Sequence, residues 1–199
     1  MKTHARIALL LPLIVTCFMV VAQQSYDKCG TWRWSVKTLT DKDGIILLSK
    51  VPFSTSIDQL VKVIPPKVLQ AGSPSDGKLP RYSREKQVVE IIAYVTEIKT
   101  EADHDLHFVL KSPTTGKTMV GEIPDPMCPD FDSIPSLREF FKQTREKGMA
   151  VWDSLKKSIN PVKVKITGVP FWDGAHSSRP IGASKYFREI HPIFTIEIQ

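Results

Sequence analysis

VVEIIAYVTEIKTEADHDLHFVLKSPTTGKTMVGEI, residues 88–123, is the stretch from which the fold is read. Residues 88–98 are rich in β-branched side chains and long enough for one strongly curved strand. Residues 100–104 (Thr-Glu-Ala-Asp-His) read as a turn. Leu106, Phe108 and Leu110 then alternate with Asp105, His107 and Val109, the period of a second strand. Pro113-Thr-Thr-Gly116 is a hairpin turn, and residues 117–123 form a third strand. Pro124, Pro126 and Pro129 forbid its continuation.

Downstream, Leu137, Phe140, Phe141, Thr144, Val151, Trp152 and Leu155 fall mostly on an i, i+3, i+4, i+7 stripe, which predicts an amphipathic helix. Ser136 and Glu139 have the spacing of a capping box at its start. Gly148 lies on the stripe, and a glycine there leaves open whether the helix is continuous or split. Val162, Val164 and Ile166 alternate with Lys163, Lys165 and Thr167 as a fourth strand, ended by Gly168. Residues 172–185 read as a loop and 187–198 as the fifth strand. The order β-β-β-α-β-β predicts a mainly β fold, an OB-fold-like five-stranded barrel with one helix, over residues 81–199. A different small α+β sheet would share that element order.

Upstream, residues 23–64 read as an N-terminal extension packed on the core. Trp32, Trp34 and Val36 alternate as on a strand, Asp43-Gly44 signals a turn, and residues 57–63 suit one or two helical turns ended by Pro65-Pro66. Residues 65–80 hold Pro65, Pro66, Pro74 and Pro80, the composition of a linker or long surface loop. Residues 1–22 place Lys2 and Arg6 before an apolar run that ends Val20-Val21-Ala22, ahead of Gln23. That is the pattern of a secretory signal peptide, and the run is shorter than the about 20 residues a membrane span needs. The expectation is an exported protein, periplasmic or extracellular, with no transmembrane span once the leader is removed.

An apolar content of 42% with 24% charged residues excludes a disordered tail, a collagen and a multi-span membrane protein. Removing the leader takes Lys2 and Arg6, so the formal net charge of +6 falls by two to +4. That balance admits an anionic ligand without demanding one. Removal also takes Cys17 and leaves Cys29 and Cys128, an even count in an exported chain, which predicts a disulfide. Two buried free thiols are the alternative.

Beyond the leader, histidines stand at 104, 107, 176 and 191. Asp103, Asp105 and His107 are spaced by two, so a strand would put them on one face. Glu189 and His191 are spaced by two on the last strand, Glu122 ends the third, and Asp173 and His176 lie in the 172–185 loop. Carboxylates and imidazoles brought together by a closed barrel suit one divalent metal ion or an acid–base pair. Each also has a plainer reading. Asp103 serves a turn, acids on the outer face of a strand are ordinary, and no fixed-spacing metal motif is present. Nucleotide-binding glycine loops and a GxSxG elbow are absent from the sequence as well.

Five segments together resemble a family of uncharacterised exported bacterial proteins with an OB-fold-like core. They are Trp34-Ser-Val-Lys37-Thr38-Leu-Thr-Asp41, Glu101-Ala-Asp103-His-Asp105-Leu-His107, Glu122-Ile-Pro124-Asp-Pro126-Met-Cys128, Gly168-Val-Pro-Phe171-Trp-Asp173-Gly-Ala-His176 and Glu189-Ile-His191-Pro192. The sequence departs from that pattern at Ser177-Ser178-Arg179, where the family is Gly-rich, and at Tyr186-Phe187-Arg188. The resemblance implies fold and compartment, makes the N-terminal segment part of the domain, and implies no reaction.

The leading expectation is an exported binding or interaction module that uses a barrel face and the 172–185 loop. Trp172, Asp173 and Arg179 are its binding candidates, and an anionic ligand or a protein is the partner. The alternative is a metal-dependent phosphoester hydrolase, nuclease-like, in which Asp103, Asp105 and Glu122 or Glu189 hold the metal. His107, His176 or His191 would then be ligand or general base. A third reading makes the cluster a polar network that fixes barrel closure. The readings part on geometry, because an enzyme needs an open pocket and a network needs buried, mutually bonded groups.

Overall fold

Alternating apolar residues in five segments roll into a closed barrel in the computed structural model, which describes residues 29–70, 78–174 and 180–199. In chain order the elements are α1 (Trp34–Lys37), β1 (Phe53–Ser54), α2 (Ile57–Leu60), α3 (Lys67–Gln70), β2 (Val89–Thr100), β3 (Leu106–Lys111), β4 (Thr118–Ile123), α4 (Pro135–Lys157), β5 (Val162–Trp172) and β6 (Arg188–Ile198), with short 3₁₀ turns between some of them. Residues 1–22, the stretch with the signal-peptide pattern, lie outside the described residues.

The long β2 closes the ring. Its N-terminal half pairs antiparallel with β5, from Val89↔Gly168 to Val95↔Val162. Its C-terminal half pairs antiparallel with β3, with a bulge between Val95 and Glu97 that bends the strand. β3 then pairs antiparallel with β4, β4 pairs parallel with β6, and β6 pairs antiparallel with β5. The cyclic order β2-β3-β4-β6-β5 is that of an OB-fold-like barrel. β1 adds two residues in parallel along β2.

Leu106, Phe108, Leu110, Met119, Ile123, Val164, Ile166, Ile190 and Ile193 fill the interior, and Leu137, Phe141 and Val151 of α4 join them. The helix runs unbroken through Gly148, so of the two alternatives it is continuous. A Cβ at Gly148 would come within 2.9 Å of Ile123 and 3.0 Å of Phe108, so glycine lets the helix lie close against the barrel. The capping box does not form. Pro135 occupies the first helical position, where its fixed φ starts the helix, and Ile134 caps it with no side-chain hydrogen bond.

Two further expectations are corrected. The fourth strand does not end at Gly168 but continues to Trp172, through irregularities in its pairing with β6. A Cβ on Gly168 would lie 2.6 Å from the Pro192 carbonyl oxygen, so glycine lets the two strands approach there. Trp32, Trp34 and Val36 do not alternate on a strand. Arg33 takes a left-handed φ of 48° and the chain turns into α1, burying Trp34, Val36 and Lys37 together. Tertiary burial overrides the two-residue period.

Cys29 and Cys128 form the expected disulfide across a sequence separation of 99. The Trp34 indole N–H donates to Asp130 at 2.9 Å nearby. Arg33, fully buried, is gripped by an equally buried Glu85 through bonds of 2.8 and 2.5 Å. Its guanidinium also donates to the carbonyls of Pro80, Leu79 and Trp172. Glu85 accepts in addition from the backbone N–H of Trp172 and of Tyr82. This clamp ties the N-terminal segment to the end of β5.

Candidate functional site

Strand alternation puts Leu106, Phe108, Ile123 and Ile190 inside the barrel and His107, Glu122, Glu189 and His191 on the opposite face. Register brings them together. His107 is directly opposite Glu122, and the parallel pairing of β4 with β6 sets Val120 beside Glu189 and Gly121 beside Ile190. The turn ahead of β3 adds Asp105 and Glu101.

This outer face is covered. The carbonyl of Ile181 accepts from His107 Nε2 at 3.2 Å, and Gly182 packs on Val109. Lys37 of α1 reaches in from the N-terminal segment. Its Nζ lies 3.3 Å from Asp173 Oδ1 and over the Phe171 ring. Asp105 and His191 have no exposed surface, and His107, Glu122, Glu189 and Asp173 are all buried.

His191 is at the centre. Its Nδ1 lies 2.8 Å from Glu122 Oε2 and 3.7 Å from Glu189 Oε2, and its Nε2 lies 3.4 Å from Asp105 Oδ2. None of these approaches has hydrogen-bond alignment: both ring nitrogens, Asp105 Oδ2 and Glu189 Oε2 are buried without a hydrogen-bond partner among the described residues. Glu122 divides its carboxylate. Oε2 faces His191, while Oε1 bonds His107 Nδ1 at 2.9 Å. Glu101 Oε1 approaches the same His107 nitrogen at 3.1 Å.

The charges follow from burial and from these neighbours. Burial pushes the Asp105 carboxyl up to about 6 in spite of His191. It pushes Glu189 up to about 7, with Asp173 and Glu122 adding to the effect. Burial opposes ionisation of Glu122 too, but His107 and His191 hold it well below the usual carboxylate range. Burial resists charge on His191, and Asp105, Glu122 and Glu189 override it, holding the imidazole well above its ordinary value. His107 is raised in the same way against burial, chiefly by Glu122. Lys37 is raised by Asp173 and then Glu122, against its burial.

The structure thus brings together Asp105, His107, Glu122, Glu189 and His191, with Asp173 at the edge through Lys37. Asp103 stands apart as a ligand, since its Oδ1 accepts from the Asp105 backbone N–H in the turn. His176 and Arg179 lie outside the described residues. Among the described residues, two sets of donors are spaced for a cation, Asp105–Glu122–His191 and Glu101–His107–Glu122, each with its atoms within 4.8 Å of one another.

Trp172 makes a second constellation. Arg188, its register partner on β6, lays its guanidinium 3.8 Å from the indole centroid. Arg188 is 1% exposed, and its Nε and Nη1 have no acceptor among the described residues. Burial lowers its pKa to about 10, which leaves it cationic at neutral pH.

Sequence reasoning missed Lys37, Glu101, Arg188 and the Arg33–Glu85 clamp as participants. Lys37 and Glu101 sit inside the segments that carried the family resemblance, which was the available signal. Arg33 and Glu85 had none, being 52 residues apart. In comparisons with known proteins, the chain matches no family model and no curated protein.

Proposed function

We infer that the protein is an exported OB-fold-like binding module whose ligand carries an anionic group, taken up by Arg188 at the 173–187 end of the barrel. The observation that carries this reading is the state of Arg188. A buried guanidinium with two nitrogens that lack an acceptor is costly unless one meets it. Carboxylate and phosphate oxygens match its fork, and Trp172 beneath it fixes the plane in which the fork is offered. The position fits the fold, because OB barrels commonly bind ligands at the loop between their fourth and fifth strands, and Arg188 begins the strand that follows that loop.

The leader pattern and the disulfide support export to an oxidising compartment. The resemblance to exported bacterial proteins with an OB-like core agrees with this.

Thermal shift against inorganic phosphate, pyrophosphate and succinate tests the reading. A saturable rise in Tm with at least one anion, abolished in Arg188→Gln and weakened by salt, is expected. No rise with any of them, or an equal rise in the variant, overturns it. Export is tested by the mass of the protein recovered outside the cytosol, expected to begin at Gln23. Recovery only in the cytosol with Met1 intact would overturn that part.

A further inference from the structure

Three carboxylates, Asp105, Glu122 and Glu189, surround the buried His191, and a fourth, Asp173, is paired with Lys37. Glu101 and the other oxygen of Glu122 are taken by His107, whose second nitrogen bonds the Ile181 carbonyl. The His107 side is therefore satisfied by hydrogen bonds, and the His191 side is not. An imidazolium held among carboxylates makes short, straight charge-assisted bonds. Among the described residues His191 makes none, although it is fully buried, and both its nitrogens and the facing oxygens of Asp105 and Glu189 are left without hydrogen-bond partners. Such groups are rare in protein interiors and call for an explanation.

The spacing supplies one. Donors at about 2.0–2.2 Å from a shared ion stand about 3 to 3.5 Å from each other. One donor atom from each of Asp105, Glu122 and His191 lies within 4.8 Å of the others, so small side-chain shifts would let them converge on one ion. Nδ1 of His191 faces Glu122 and Nε2 faces Asp105, so the ion would take one of the two nitrogens. We propose that Asp105, Glu122 and His191 bind one divalent transition-metal ion of the Zn²⁺ class in a closed, structural site. Imidazole among the donors selects this class over Mg²⁺ and Ca²⁺, which take oxygen. Glu189, 3.7 Å from His191 Nδ1, completes the negative surroundings. Because Asp105 precedes β3, Glu122 ends β4 and His191 lies on β6, the ion would tie three strands of the barrel together. This goes beyond the anion-binding reading and uses none of its residues, so either can fail alone.

The test is metal content of the purified protein, followed by titration of chelator-treated protein with Zn²⁺, Co²⁺, Mg²⁺ and Ca²⁺. About one Zn²⁺ per chain is expected, with visible d–d absorption for Co²⁺. Tm should rise by about 5–10 °C at a hundredfold excess over Kd. Asp105→Asn and His191→Gln should each weaken binding by roughly 100-fold, and Glu146→Gln on α4 should not. If those variants fail to fold, X-ray absorption of the Zn²⁺-loaded wild type decides, with a shell of nitrogen and oxygen that includes imidazole expected. The proposal is overturned by absence of Co²⁺ bands and of any Tm shift at millimolar metal. Binding that survives both variants, a sulfur or all-oxygen shell, or a preference for Mg²⁺ or Ca²⁺ overturns it equally.

Discussion

Replacing Glu85 by Gln keeps the shape of the clamp and removes its charge. Arg33 would then remain as a cation with no exposed surface and no counter-ion. Removing one partner of a buried pair costs about 3–5 kcal/mol, because the other is left uncompensated. That is a large share of the 5–15 kcal/mol or so that typically holds a domain together. For a chain of this size it corresponds to a fall in Tm of roughly 6–20 °C. Urea denaturation of the oxidised protein, monitored by tryptophan fluorescence, measures it. Arg33→Met combined with Glu85→Leu should recover most of the loss, since an apolar pair of similar volume removes both desolvation costs. A loss below about 1 kcal/mol in Glu85→Gln would refute the reasoning, because it would mean that the pair behaves as a solvent-screened surface bridge.

Disrupting Cys29–Cys128 by Cys29→Ser with Cys128→Ser should cost about 4–5 kcal/mol by loop-closure entropy, read as a lower urea midpoint with a changed m-value. An unchanged midpoint would show that the extension is held without it. Gly168→Ala should destabilise by about 1–3 kcal/mol and shift the His191 ring resonances, since the added Cβ meets the Pro192 carbonyl at 2.6 Å; wild-type stability and spectra would contradict that. In chelator, Tm should fall as pH rises from about 5 to 8. Asp105 and Glu189 titrate in the fold near 6 and 7, above their ordinary values, and His191 is raised too. Each binds protons more tightly folded than unfolded, so each contribution is lost as pH climbs through the folded pKa. Glu122, which is lowered, acts in the opposite sense only below its ordinary 4.5. A Tm that rises across this range would contradict the assigned directions.

The barrel was legible because each of its strands carries local signs: alternation at 106–110 and 162–167, β-branched density at 88–98, and Pro-Thr-Thr-Gly between the hairpin partners. The helix was legible from its stripe, though not its start, because Pro135 sets the first turn more firmly than Ser136. Part of the cluster was legible too. Spacing by two put Glu189 and His191 on one face. Their meeting with Glu122 depends on the parallel β4–β6 pairing, which joins strands separated by a helix and carries no local mark. Arg188 faces away from Glu189 and gains its meaning only from Trp172 across the strand pair. Asp103 and Asp105 look alike in sequence, yet one turns back to its own loop and the other enters the cluster. The difference is a backbone turn with His104 at φ 68°.

The central claim, that Arg188 awaits an anion, is tested most directly by its own Nε–H resonance. In a ¹⁵N-correlated spectrum of the oxidised protein titrated with phosphate, pyrophosphate and succinate, that resonance, assigned by its absence from Arg188→Gln, should move saturably with at least one anion. The Arg33 Nε–H, already bonded to the Leu79 carbonyl, should stay in place. An Arg188 resonance that does not move with any of the three, while the protein remains folded, would contradict the account.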